Sequence, residues 1–217
     1  MAVVMYDLDG TLLDTAAEIT QAVNLTLAEF CHAQVSQAQV RDWIGHGTGW
    51  LMKTAWQHTS GPTDAPWETV MERFIHHYEQ TAGTSSRPFP HVLDTLRRAR
   101  AYGVKQAIVT NKERRFTERV LERHGLADAF DLVICGDSLA VKKPHPGVIE
   151  HCLSALGATR GEALFVGDSE IDVSTARAAG VICWAVPYGY NLGRPIADAM
   201  PDRIVPDIRD VPTFFRH

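Results

Sequence analysis

The sequence predicts an α/β protein: a doubly wound, Rossmann-like parallel sheet with an all-helical segment inserted after its first strand. Three observations carry that prediction. From residue 91 onward short apolar runs alternate with helical patterns, the spacing of β-α-β units joined by right-handed crossovers. Residues 15–83 show helical periodicity alone. Polar residues recur just past the apolar runs, at Asp7, Thr110, Asp137 and Asp168, on the edge where open α/β sheets hold ligands. The expected division is an α/β core of residues 1–14 and 84–217 and a helical cap of residues 15–83.

The first strand is Ala2–Met5, apolar and β-capable, broken by Gly10. A helix follows over residues 15–31, where Ile19, Val23, Leu27 and Phe30 recur at helical spacing. Helical patterns continue through Val35–Trp43, Trp50–Gln57 and Trp67–Gln80, separated by Gly- or Pro-containing breaks. The tryptophans Trp43, Trp50, Trp56 and Trp67 are expected to form the core of this segment. Residues 84–90 read as a turn-rich linker. Beyond it come a helix (His91–Tyr102), a strand (Val104–Val109), a helix (Glu113–His124) and a strand (Leu132–Cys135). A helix (Gly147–Leu156), a strand (Ala163–Val166), a helix (Ile171–Ala179) and a strand (Val181–Val186) complete the alternation.

Composition narrows the function classes. A formal charge of −5 with 22% charged residues lacks the basic stripe that nucleic acid demands. No apolar run approaches the ~20 residues that cross a bilayer. The four cysteines form no C-x-x-C pair, which disfavours a zinc site or disulfide framework and fits a reducing, cytoplasmic setting. Both monomer and homodimer stay open.

The chemistry starts from Asp7-Leu8-Asp9-Gly10-Thr11, two acids one residue apart at the end of a buried strand. A buried carboxylate is costly unless paired, hydrogen-bonded or bound to metal. Thr110-Asn111, Lys143-Pro144 and Gly167-Asp168-Ser169-Glu170-Ile171-Asp172 are expected on the same sheet edge. Asp7, Asp9, Asp168 and Asp172 gathered in one pocket would repel one another. Their all-oxygen set suits a hard cation, and Mg²⁺ bound by carboxylates, with a phosphate completing the site, fits best.

These four segments, in this order and with a helical insertion after the first, resemble the haloacid dehalogenase superfamily of phosphohydrolases. The stretches CGDSLAVKKPHPG, LFVGDSEIDVSTARAAG and PYGYN are most similar to its phosphoglycolate phosphatase branch. The resemblance implies Asp7 as nucleophile and Asp9 as acid and base, with the Asp9 carbonyl a metal ligand. It implies Asp168 as a further Mg²⁺ ligand and Asp172 as an additional acid at the metal. Gly10, Thr11, Thr110 and the Asn111 backbone belong to the phosphate site, and Lys143 neutralises phosphate and nucleophile. Lys142 is expected in solvent. Within the cap, the resemblance places Arg41, Gly45 and Gly47 toward the substrate, Arg41 facing a substrate carboxylate.

Plainer readings stand beside these. Asp9-Gly10 is a turn pair, Thr110-Asn111 a helix N-cap, Asp172 a first-turn acid, and Arg41 a surface arginine. Residues 44–49 (IGHGTG) follow a helix rather than a strand, so they read as a helix-helix turn and not a dinucleotide loop. His91 stands where the resemblance implies a small residue. The implied activity is hydrolysis of a small phosphorylated metabolite, 2-phosphoglycolate foremost. Pyrophosphatase, nucleotidase, broad sugar-phosphate phosphatase and phosphomutase activities are alternatives of the same chemistry. A receiver-like or non-enzymatic phosphate-binding module is the alternative of another class; its acceptor acid would follow a middle strand, with no inserted helices.

Overall fold

Strand β1 (Val3–Tyr6) is buried at every residue, and the sheet grows outward from it on both sides. In the computed structural model, which describes residues 2–59, 61 and 65–215, six parallel strands form one sheet. Of the expected core segments, Met1, Arg216 and His217 lie outside the described residues. The other elements, in chain order, begin with β2 (Leu13–Asp14), α1 (Ala16–Glu29), α2 (Gln37–Arg41), α3 (Thr48–His58) and α4 (Trp67–Thr81). Then come β3 (Arg87–Pro88), α5 (Val92–Ala101), β4 (Lys105–Val109), α6 (Arg114–Arg123) and β5 (Leu132–Ile134). The chain continues through α7 (Gly147–Leu156), β6 (Ala163–Gly167), α8 (Glu170–Ala179), β7 (Ile182–Ala185) and β8 (Arg203–Ile204).

The sheet order β5-β4-β1-β6-β7-β8 reverses direction at β1. Because strand side chains alternate, each strand feeds two cores. Val4, Tyr6, Ile108, Leu164 and Val166 pack on one face with α5, α6 and the inserted helices. Val3, Met5, Ala107, Val109 and Phe165 pack on the other with α7 and α8. Strands covered on both faces read as unbroken apolar runs, which is why they were visible in the sequence.

Helices α1 to α4 form the insertion, with α1 lying along α4. Its entry and exit are joined. β2 and β3 pair antiparallel, Leu13 opposite Pro88 and Asp14 opposite Arg87, so the stretch read as a linker contains a strand. The fully buried Glu18 of α1 accepts the Gly83 N–H at 2.8 Å and the Ser86 N–H at 3.0 Å, fastening the first helix to the outgoing chain. One further expectation is corrected. Trp50 is 42% exposed, its ring against His46, while Trp43, Trp56 and Trp67 are partly buried against the core. Asp137, just past β5 as expected, accepts the Arg114 N–H at 2.9 Å, satisfying the start of α6. No described helix is long and apolar enough to cross a membrane.

Candidate active site

The sheet reverses at β1, and the strands on either side, β4 and β6, send their carboxyl-terminal residues to the same edge. Asp7 and Asp9 leave β1, Thr110, Asn111 and Lys112 leave β4, and Asp168 leaves β6. Lys143 arrives from the loop between β5 and α7. Its ammonium lies 2.9 Å from Asp7 Oδ1 and 2.6 Å from Asp172 Oδ1, with the lysine side chain only 2% exposed. Residues far apart in sequence are thus brought into contact: Asp7, Lys143, Asp168 and Asp172.

Each carboxylate is fixed differently. Asp7 Oδ1 also accepts the Leu8 N–H at 2.7 Å. Asp168 accepts the Thr11 hydroxyl at 2.7 Å and the Tyr190 N–H at 2.8 Å, both neutral donors. Asp172 closes a capping box at the start of α8. Its Oδ2 takes the Asp168 N–H, the Ser169 N–H and the Ser169 hydroxyl, while its Oδ1 takes Lys143. Asp172 is therefore both the expected first-turn acid and a brace behind Asp168 and Lys143.

Crowding shows in the protonation equilibria. Burial pushes the Asp7 carboxyl up to about 6 against the pull of Lys143, with Asp172 and Asp9 adding repulsion. Burial, then repulsion from Asp172 and Asp7, raises Asp168 well above the usual carboxylate range. Burial alone would lower Lys143, yet Asp172 and Asp7 carry it above the ordinary lysine range.

Asp9 is held separately. Its Oδ1 accepts the Thr15 hydroxyl at 2.6 Å and the Lys112 ammonium at 2.9 Å, and Lys112 lies 3.3 Å from Oδ2. Lys112 also donates to the Tyr78 hydroxyl of α4. Thr15 stands at the N-cap of α1 but gives its side chain to Asp9; the Tyr190 hydroxyl takes the Thr15 and Ala16 N–H groups instead, at 2.8 and 3.0 Å. Lys112, Tyr78, Thr15 and Tyr190 were not singled out from the sequence. Two of them carried a signal: Lys112, directly after Thr110-Asn111 at a strand end, and Tyr190, within the PYGYN stretch.

A cavity of about 40 Å³ opens on these groups, lined by Asp7, Asp9, Thr110, Asn111 and Lys112 from the core and by Ile19, Ile44, Gly45, Gly47, Thr48, Leu51 and Tyr78 from the insertion. The insertion is seated on the core around it. Asn111 Nδ2 donates to the Gly45 carbonyl at 2.8 Å, Lys142 Nζ to the His46 carbonyl at 2.9 Å, and the Thr48 hydroxyl to Glu113. Lys142, expected in solvent, thus has an exposed residue surface but ties down the 44–49 turn. Gly47 needs no side chain there: its φ is +92° and a Cβ would meet Lys142 Nζ at 3.2 Å. Arg41 is not part of the lining and lies 5.0 Å above the Tyr190 ring. Gly10 and Thr11 are likewise absent from the lining and surround Asp168 instead.

Oxygens of Asp7, Asp168 and Asp172 lie within 4.8 Å of one another, all three residues buried. Lys143 touches Asp7 and Asp172 of the three, and their crowding raises Asp7 and Asp168 above the usual carboxylate range. The donor set is all oxygen, and glycines at 10 and 189 leave room for Asp168, since a Cβ would lie 2.3 and 2.2 Å from its side-chain atoms. The residues present fit a hard divalent cation.

The sequence pattern of the haloacid dehalogenase-like hydrolases matches residues 4–186. A phosphoglycolate phosphatase of Pseudomonas syringae pv. syringae is 38% identical over 209 residues, covering 95% of this chain and 76% of that protein. One from Thiobacillus denitrificans is 36% identical over 209 residues, covering 95% and 92%. The crystal structure of a predicted phosphoglycolate phosphatase from Haemophilus somnus superposes with a TM-score of 0.95 at 30% identity, covering 100% of this chain and 98% of that one.

Proposed function

The chain belongs to the haloacid dehalogenase-like hydrolase family, and from that membership we propose that it is a Mg²⁺-dependent phosphomonoesterase whose preferred substrate is 2-phosphoglycolate. The observation that carries the reading is Asp7, on the cavity wall, in contact with Lys143 at 2.9 Å and clustered with the buried acids Asp168 and Asp172. Similarity to phosphoglycolate phosphatases over 95% of the chain supports the substrate.

Lys143 and the Leu8 N–H hold Asp7 Oδ1, so Oδ2 is assigned the attack on phosphorus. As the Asp7–phosphorus bond forms, the bond from phosphorus to the glycolate oxygen breaks and Asp9 gives that oxygen a proton. Water then attacks the phosphorus, Asp9 takes its proton, and the Asp7 carboxylate and inorganic phosphate are released. Thr110, on the cavity wall, and Lys143, beside Asp7, hold phosphoryl oxygens. Asp7, the Asp9 carbonyl and Asp168 would hold Mg²⁺, which supplies charge neutralisation at the phosphoryl oxygens. Asp172, with both oxygens engaged, acts by holding Asp168 and Lys143 in place. Residues 15–83 serve as a cap over this site, and the protein works in the cytoplasm.

The test is phosphate release across small phosphorylated metabolites with Mg²⁺ and with excess chelator. A clear preference for 2-phosphoglycolate, lost in chelator, is expected. A flat profile would replace it with a generalist phosphatase, transfer to a sugar hydroxyl with a phosphomutase, and full activity in chelator would remove the metal.

A further inference from the structure

We propose that Lys112 is a positioning residue: clamped by Tyr78 of the inserted helices, it fixes the Asp9 carboxylate, so that proton transfer by Asp9 depends on the insertion being seated. The proposal rests on the acid-base reading of Asp9 given above.

Lys112 leaves β4 in the core, yet its side chain is only 1% exposed. A lysine ammonium carries three N–H donors and no acceptor. The structure offers it three oxygens: Asp9 Oδ1 at 2.9 Å, Asp9 Oδ2 at 3.3 Å and the Tyr78 hydroxyl. Its donors are therefore matched one for one, and none is left over for an anionic tail of the substrate, although Lys112 lines the cavity. Binding both carboxylate oxygens sets the rotation of the Asp9 carboxyl group as well as its place.

Tyr78 makes this arrangement conditional. It sits in the last turn of α4 and is 1% exposed, its ring stacked on Phe116 of α6 at 4.2 Å between centroids. Lys112 Nζ lies 4.9 Å from the same ring's centroid, so the aromatic face and the hydroxyl both favour the ammonium where it stands. Lifting the insertion from the core would withdraw Tyr78 and its ring and open Lys112 to water, removing the contacts that hold the ammonium in this one place. Asp9 would move with it. Seating of the insertion and orientation of the proton donor are thus linked through one side chain.

The linkage predicts a dependence on leaving group. Glycolate departs from phosphorus as a strongly basic alkoxide and needs a proton, whereas acetate departs from acetyl phosphate without one. The experiment is rapid-quench measurement of phosphorylation of the full-length, Mg²⁺-loaded enzyme by each compound. Lys112→Met is expected to slow phosphorylation by 2-phosphoglycolate at least about tenfold more than phosphorylation by acetyl phosphate, part of the ~10²–10⁴ that a general acid supplies. Tyr78→Phe, which keeps the ring and removes one oxygen, is expected to show the same bias at about threefold, and it decides the matter if Lys112→Met does not fold. Equal slowing with both compounds in these variants would overturn the proposal. So would weaker binding of 2-phosphoglycolate at an unchanged maximal rate, which would assign Lys112 to the substrate tail. Asp9→Asn separates the two levels: a leaving-group bias there but not in the Lys112 and Tyr78 variants sinks this inference alone, and no bias in Asp9→Asn sinks the acid-base reading beneath it.

Discussion

Lys143→Met isolates the electrostatics of the site. The substitution keeps the length of the buried stem and removes a charge that touches Asp7 at 2.9 Å and Asp172 at 2.6 Å. Those carboxylates and Asp168 then face one another with no cation in contact. Removing one partner of a buried ion pair costs about 3–5 kcal/mol. At an effective dielectric near 20, two like charges ~4 Å apart repel by ~4 kcal/mol, the same order. The cost is capped, because a crowded carboxyl can take up a proton instead of remaining charged. For a chain of this size the loss corresponds to a fall in Tm of about 6–20 °C.

The assay is thermal unfolding of wild type and variant in chelator and in excess Mg²⁺. A ligand at a hundredfold its Kd stabilises the folded state by about 2.7 kcal/mol, and the more negative variant site should gain at least as much as wild type. The pH dependence has a definite sign. Burial already raises Asp7 to about 6, and without Lys143 it rises further. A carboxyl raised on folding stabilises fully below its unfolded value and loses that contribution as pH climbs through its folded value. The deficit of Lys143→Met in chelator must therefore widen as pH increases through and beyond about 6. A variant within about 1 kcal/mol of wild type in chelator, or one that Mg²⁺ stabilises less than wild type, would refute the reasoning.

Gly10→Ala should abolish the Mg²⁺-dependent rise in Tm, because its φ is +88° and the new Cβ would lie 2.3 Å from Asp168 Oδ2; retention of the full rise would contradict the placement of Asp168. Native protein should expose one fast-reacting thiol, Cys31, to a colorimetric disulfide reagent, and three more only on unfolding. Burial pushes the Cys152 thiol up to about 12, so rapid reaction of a second thiol in native protein would contradict the packing of α7. His91→Gly should raise stability by up to ~1 kcal/mol, since His91 holds φ +68° ahead of α5, a region costly for side chains with a Cβ; an unchanged or lower unfolding midpoint would count against strain there.

What was legible in the sequence was what obeys local rules. Strands buried on both faces gave apolar runs, glycines closed helices at Gly157 and Gly180, and the acids stood directly after the runs. Asp7, Asp168 and Lys143 could be gathered at one edge because the topology allows few alternatives. Strand β8 escaped because Arg203 and Ile204 are both exposed and make no apolar run. The β2–β3 ribbon escaped because each strand has two residues and one of them is a proline. Lys112 and Tyr78 escaped for another reason. Their contact spans 34 positions, and no periodicity encodes which polar tip meets which. Nor does any local pattern give the contact of Arg41, whose guanidinium lies 5.0 Å from the Tyr190 ring centroid.

The most direct test is a single-turnover acid quench of the Mg²⁺-loaded enzyme with 2-phosphoglycolate, followed by peptide mass mapping. A phosphoryl group on the peptide that contains Asp7, absent in Asp7→Asn, is the predicted result. Phosphate release with no phosphorylated peptide at any time point, or undiminished turnover by Asp7→Asn, would contradict it.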